Sequence, residues 1–301
     1  MRIQPRNILC ATDFSYLSNY AVKYAITLAE EFNAKLYLCH VVDISTTAAY
    51  DEAPGLYEVQ CRNAEEYGFD QLTKLVGSNQ IDWEPVVITG TVADEIAQLA
   101  KHNTVDLVIT AARGRSGLAR LILGSVTERL MRTLECPLLA VRAAEDEISI
   151  SDDSEIRFKR ILVGCDFSSD SNLAFEYGLS LAQEFQSELH LVHVVAPPIY
   201  KSPPKPPTEV RTNVRQELYD QLNEKLQNMI TPEIMNWCSP VTDLLAGHPH
   251  EEIVKYSTIK AIDLIVLGIR GHSLIESLFI GSTSDRVMRQ APCHVLLVRP
   301  A

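Results

Sequence analysis

Apolar positions switch between two periods along the chain. Residues 8–12 (ILCAT) and 35–41 (KLYLCHV) are short, largely apolar, β-prone runs, the pattern of strands covered on both faces. Between them, residues 18–32 set Ala, Leu and Tyr at helical spacing. The alternation continues with a loop over 43–57, a helix over 58–76, a strand over 83–88, a helix over 92–102 and a strand over 106–111. A long loop then runs to Gly124, followed by a helix over 125–133 and a strand over 138–142. Strands alternating with helices predict βαβ units and an α/β fold, with a Rossmann-like, open, mainly parallel sheet covered by helices on both faces. Right-handed crossovers place ligand sites beyond the C-terminal ends of the strands. Asp13, Val41 and the 111–125 loop lie at those ends.

The pattern then repeats. NILCATDFS ends in Asp13-Phe14-Ser15, and RILVGCDFS ends in Asp166-Phe167-Ser168, an offset of 153. The offset persists through Ala21/Ala174, Tyr24/Tyr177, Phe32/Phe185 and His40-Val41/His193-Val194. It becomes 157 at Gly90/Gly247 and holds through Glu95/Glu252, Gly114/Gly271, Gly124-Ser125/Gly281-Ser282 and the closing strands. The four extra residues are assigned to the proline-rich stretch between Pro197 and Pro207. Two copies of one domain are therefore expected, residues 1–146 and 158–301, each with its own sheet. Residues 147–157 form an acidic linker between them.

Composition narrows the function classes. Asp and Glu outnumber Lys and Arg by 39 to 27, a formal charge of -12, which disfavours broad binding to nucleic acid or anionic membrane. No run of 18 apolar residues is present and the N-terminal stretch is not of signal-peptide type, so a cytoplasmic protein is expected. The seven cysteines are scattered, without CxxC spacing, and are expected to be buried free thiols.

The chemistry lies in the late loop of each copy. In the second, Gly268-Ile269-Arg270-Gly271 is followed after nine residues by Gly281-Ser282-Thr283. Gly268 is expected to let backbone approach a ligand, and Gly271 to serve a turn of positive φ. Gly281-Ser282 opens a helix whose free N–H groups suit phosphate, with hydroxyls from Ser282 and Thr283 and charge from Arg270. The loop is neither a Walker A sequence, lacking Gly-Lys-Ser/Thr, nor a dinucleotide fingerprint, since its glycines follow a late strand.

These segments, AARGRSGLARLILGSVTERLMRTLECPLLAVR and GIRGHSLIESLFIGSTSDRVMRQAPCHVLLVRP with the two Asp-Phe-Ser starts, resemble the universal stress protein family, and in particular its tandem, E-type-like members. The resemblance implies ATP, with or without Mg²⁺, as ligand. In the second copy Asp166 and the backbone of Val194 would hold the adenine end. Gly268, Arg270 and Gly271 would line the sugar and phosphate path, and Gly281, Ser282 and Thr283 would hold the phosphates. The first copy supplies Asp13, Val41, Arg113, Gly114, Gly124 and Ser125, but Ala111 stands where the second has Gly268. Its loop is more basic, with Arg113, Arg115 and Arg120, whereas the second carries His272 and Glu276. The resemblance also implies that the two copies pair like a homodimer; the terminal strands 138–141 and 295–298 are the candidates for that contact, since an unpaired edge strand needs covering. Further dimerisation of the whole chain stays open.

No nucleophile, general base or metal cluster stands at fixed spacing, so any hydrolysis is expected to be slow. His40 and His193 are expected to be structural, Asp13 and Asp166 to hydrogen-bond, and His248-Pro249-His250 to start a helix. Glu128-Arg129 and Asp285-Arg286 are expected to pair locally. The leading function is a stress-response protein acting through nucleotide-dependent conformation or partner choice. A nucleotide-free scaffold and a true nucleotide-dependent enzyme are the alternatives.

Overall fold

The structure is a computed structural model describing residues 3–43, 54–113, 123–142, 156–197, 209–236, 238–271 and 280–300. The first half runs β1 (Asn7–Ala11), α1 (Tyr16–Phe32), β2 (Lys35–Asp43), α2 (Pro54–Val76), β3 (Trp83–Gly90), α3 (Val92–His102), β4 (Leu107–Ala111), α4 (Ser125–Thr133) and β5 (Leu138–Val141). The second repeats it as β6 (Arg160–Gly164), α5 (Ser169–Phe185), β7 (Glu188–Val195), α6 (Glu209–Gln227), β8 (Ser239–Ala246), α7 (Pro249–Ile259), β9 (Leu264–Gly268), α8 (Ser282–Gln290) and β10 (His294–Val298). Helix α2 begins four residues before its apolar periodicity does.

Local chemistry explains the helix limits. Ser15 and Ser168 cap α1 and α5 by accepting from the N–H of Ser18 (3.3 Å) and Ser171 (3.2 Å). Asn33 and Gln186, in the left-handed region at φ 50° and 52°, stop them. His248 takes the N-cap position of α7 without a side-chain cap bond, and Pro249 takes the first helical position, the helix start expected there.

The expected two sheets are halves of one. Its strand order is β3-β2-β1-β4-β5-β10-β9-β6-β7-β8, so each half is parallel with the same internal order and a reversal beside its first strand. The halves meet where β5 and β10 pair antiparallel, Val295 opposite Ala140 and Leu297 opposite Leu138, which are the terminal strands singled out for that contact. Pairing consumes both edges and leaves β3 and β8 outermost, where Pro85 and Pro240 each withhold a donor from any further strand. Alternate strand residues feed two cores, one on each face, and both run through both halves. Ile8, Leu38, Ile161 and Leu189 belong to one, and Leu9, Leu138, Leu162 and Val295 to the other.

Polar contacts lock the seam. Arg142, just after β5, donates to the Met288 carbonyl near the end of α8. Arg299, just after β10, donates to the carbonyls of Leu134 and Met131 (2.8 Å) at the end of α4. Each arginine therefore serves the carbonyl-rich C-terminal end of the other half's helix. Burial, with Arg113 nearby, draws the Arg142 guanidinium down to about 10. His294 Nδ1 accepts from the Arg142 N–H (3.0 Å), so its proton sits on Nε2 and is donated to Tyr24 Oη (2.8 Å).

The expected pairs Glu128-Arg129 and Asp285-Arg286 do not form. Neighbours in a helix point about 100° apart, and partners come from the next turn or another element. Glu128 instead meets Arg289 of the other half at 2.9 Å, Arg129 meets Asp94 at 2.8 Å, and Asp285 meets Arg289 one turn on at 3.2 Å. Arg286 faces His250. All seven cysteines are free; Cys10, Cys39 and Cys165 are buried, and the other four are partly buried. Among the described residues no helix is long and apolar enough to cross a membrane.

Candidate functional site

The chain leaves β6 through Cys165 and Asp166 and turns sharply. Asp166 Oδ1 accepts from the Ser168 N–H at 3.0 Å, closing a small ring that holds the carboxylate at the sheet's edge. Phe167 between them is left-handed, φ 63°, an uncommon state for an aromatic residue. Its ring lies over His193, centroids 4.7 Å apart, and His193 Nδ1 meets the Cys165 carbonyl at 2.7 Å. A carbonyl only accepts, so Nδ1 carries the proton, and burial lowers the histidine's pKa. The first half repeats the device. Phe14 has φ 62°, stacks on His40 at 4.3 Å, and His40 Nδ1 meets the Thr12 carbonyl at 2.9 Å. Asp13 Oδ1 there accepts from Ser15 N (2.9 Å) and Ser18 Oγ (2.6 Å). Both histidines thus hold the turn, as expected of structural residues, and both aspartates act as acceptors.

Beyond the ends of β6, β7 and β9 lies a cavity of ≈ 420 Å³. It is lined by Asp166, Val194, Gly268, Arg270, Gly271, Gly281, Ser282 and Thr283. All eight second-half residues singled out from the sequence therefore line one space. Gly281 (φ -62°, ψ 138°) stands at the N-cap position of α8 and offers no side-chain cap, so the first-turn N–H groups have no acceptor within the helix. Gly281 N–H donates to the Ile269 carbonyl at 2.8 Å, and a Cβ on Gly281 would sit only 3.2 Å from that oxygen. Ser284 Oγ donates to the Gly268 carbonyl at 2.7 Å and anchors the helix to its strand. Thr127 does the same for Ala111 at 2.9 Å.

Two glycine expectations are corrected. Gly271 has no positive φ; among the described glycines only Gly77 and Gly247 do. Its missing side chain instead makes room for Asp166, whose Oδ2 lies 2.5 Å from where a Cβ would be. At Gly268 a Cβ would meet the Asp170 carbonyl carbon at 2.6 Å and its oxygen at 2.8 Å, so helix α5 occupies the space assigned to a ligand. We expect Gly268→Ala to destabilise the chain by about 2 kcal/mol, because backbone cannot yield as a side-chain tip does. Urea unfolding checks this, and a cost below about 0.5 kcal/mol would show that α5 shifts freely. The charge expected from Arg270 is also engaged: its Nε meets Asp170 Oδ2 at 3.0 Å.

In the first half Asp13 and Arg113 lie just past the ends of the adjacent strands β1 and β4, Val41 lies near the end of β2, and Gly124, directly before Ser125, donates its N–H to the Ala112 carbonyl at 2.9 Å. Gly114, Arg115 and Arg120 lie outside the described residues, as do His272, Glu276 and the Pro198–Pro207 stretch. Sequence reasoning missed Asp170, Ser284 and the pocket wall of Pro249 and Ile253. The repeat itself held a signal for Asp170, since Leu17 stands at its counterpart. Among the described residues no group of three or more His, Cys, Asp or Glu is placed to hold a metal ion.

The comparisons agree with this architecture. The chain is 25% identical to the universal stress protein Slr1230 of Synechocystis over 98% of its length and all of that protein. It is 34% identical to the universal stress protein MJ0531 of Methanocaldococcus jannaschii over 146 residues, 47% of this chain and 85% of that one. The crystal structure of a universal stress protein from Archaeoglobus fulgidus shares its fold, with a TM-score of 0.70 at 18% identity, covering 99% of this chain and 100% of that one. The sequence profile of the universal stress protein family matches twice, over residues 5–142 and 157–299. This chain belongs to the universal stress protein family.

Proposed function

We propose that the second half binds an adenine nucleotide, ATP being the ligand the family motif implies, and that occupancy governs the chain's conformation or choice of partner in a stress response. The observation that carries this reading is the convergence of Asp166, Val194, the Gly268–Gly271 loop and the start of α8 on one cavity of ≈ 420 Å³, a size ordinary for small-molecule sites. The residues fit such a ligand. Asp166 accepts hydrogen bonds where a sugar or base hydroxyl or amine would lie. The uncapped first turn of α8 and the hydroxyls of Ser282 and Thr283 donate where phosphate oxygens would lie. Bound ATP would bring a polyphosphate able to carry Mg²⁺. This chain's part is to hold the base and sugar against β6 and β7 and to keep Asp166 seated against Gly271.

Mass spectrometry of gently purified protein, before and after denaturation, tests the reading. We expect an adenine nucleotide to co-purify with the wild type and to be lost from Gly271→Ala, whose methyl group displaces the Asp166 carboxylate while thermal stability stays within a few degrees. No co-purified nucleotide, together with no saturable binding of ATP or ADP with Mg²⁺, would overturn it in favour of a nucleotide-free scaffold.

A further inference from the structure

Three features at the mouth of this cavity belong together. Asp170, at the second position of α5, is only 5% exposed, and its Oδ2 accepts from both the backbone N–H (3.3 Å) and Nε (3.0 Å) of Arg270. That approach requires α5 to press on the end of β9, and it does so where Gly268 has no Cβ. The repeat places Ala111 and Leu17 at the positions of Gly268 and Asp170. In the first half a methyl group therefore stands at the strand end, and an apolar Leu17 takes the place of the acid. The glycine and the aspartate go together, as do the alanine and the leucine.

The consequence is electrostatic. Of the described residues lining the cavity, Asp166 and Arg270 carry charge, and Asp170 offsets Arg270. Two further described cations stand close by, each in a contact of its own. Lys225 Nζ stands 4.2 Å over the Phe167 ring, and Arg299 donates to the Met131 and Leu134 carbonyls. Among the described residues lining the cavity, the groups suited to phosphate are thus dipoles and hydroxyls, and the one cation, Arg270, is paired with Asp170. Those suit a phosphate group, but each further negative charge meets no unpaired cation among the described residues that line the cavity.

We propose that Asp170 is a specificity-determining residue: by engaging Arg270 it sets the second site to take an adenine nucleotide of low phosphate charge, a nucleoside monophosphate ahead of metal-free ATP. The inference rests on the nucleotide reading above and selects within it. Isothermal titration of the full chain with adenosine, AMP and ATP, in the absence of divalent cations, tests it on the wild type and on Asp170→Asn. The wild type will bind AMP more tightly than ATP at the site that Asp170→Asn alters. The variant will tighten ATP about tenfold, the order expected for removing one charge a few ångströms from a polyphosphate, and leave adenosine unchanged. Asp170→Ser will act in the same direction and serves should the asparagine variant fold poorly. Equal shifts for adenosine and ATP, or no shift in ATP while nucleotides still bind, would overturn the role of Asp170. Absence of binding by all three ligands would instead overturn the nucleotide reading itself.

Discussion

Acidifying the protein from pH 7 to pH 5 will cost the folded state about 2 kcal/mol through one side chain, His294. Its imidazole is buried at the seam, with Nδ1 taken by the Arg142 N–H and Nε2 by Tyr24. Burial first, and the positive charge of Arg142 second, draw its pKa down from 6.5 to about 3. A depressed folded pKa means that the unfolded chain binds the proton first. The stabilisation is complete above pH 6.5 and is lost as pH falls towards the folded value, at up to about 1.4 kcal/mol per unit. His190, His193 and His250 are also lowered by burial, so the comparison is with a variant. Chemical unfolding of wild type and His294→Gln between pH 7 and pH 5 should give a shallower dependence in the variant, by about 2 kcal/mol over the interval. Parallel curves would mean that the ring is solvated or protonated in the folded chain.

The second large effect concerns the crossed arginines. Arg299→Met keeps most of the aliphatic packing but leaves the carbonyls of Met131 and Leu134 without their charged donor. Hydrogen bonds from charged groups contribute about 1.5–3 kcal/mol each, and part of the second is recovered by water. We expect a loss of about 3 kcal/mol, seen calorimetrically as a fall in Tm of roughly 6 °C. Arg129→Met, which removes only the exposed pair with Asp94, is the control and should cost less than about 1 kcal/mol. Equal costs for the two would show that the clamp adds nothing beyond a surface contact.

The elements were legible where periodicity is local. Residues 92–102 and 125–133 coincide with α3 and α4, and the pairing of terminal strands followed from the edges that an open sheet leaves. The site was legible as a set of positions because both copies spell the same landmarks in the same order. What each position does was less so. A glycine announces a missing Cβ but not what fills the space, and at Gly268 the occupant is α5, brought there by Asp170 from 98 positions upstream. The left-handed Phe14 and Phe167 gave no hint, since glycine and asparagine are the usual signals of positive φ. The seam contacts were invisible for another reason. Tyr24 and His294 lie 270 positions apart, and no spacing rule reaches so far.

The β5–β10 ladder also sets a timetable. Its two strands are separated by the whole second half, so during synthesis the first half presents an unpaired β5 edge until the final strand emerges. At ordinary translation rates that interval is roughly ten to thirty seconds, long against the folding of a small parallel unit. Two nascent chains on one message offer each other the same edge for that time. The covalent tether that makes the closed arrangement win by proximity is thus also what makes exchange of halves between neighbouring chains its natural competitor.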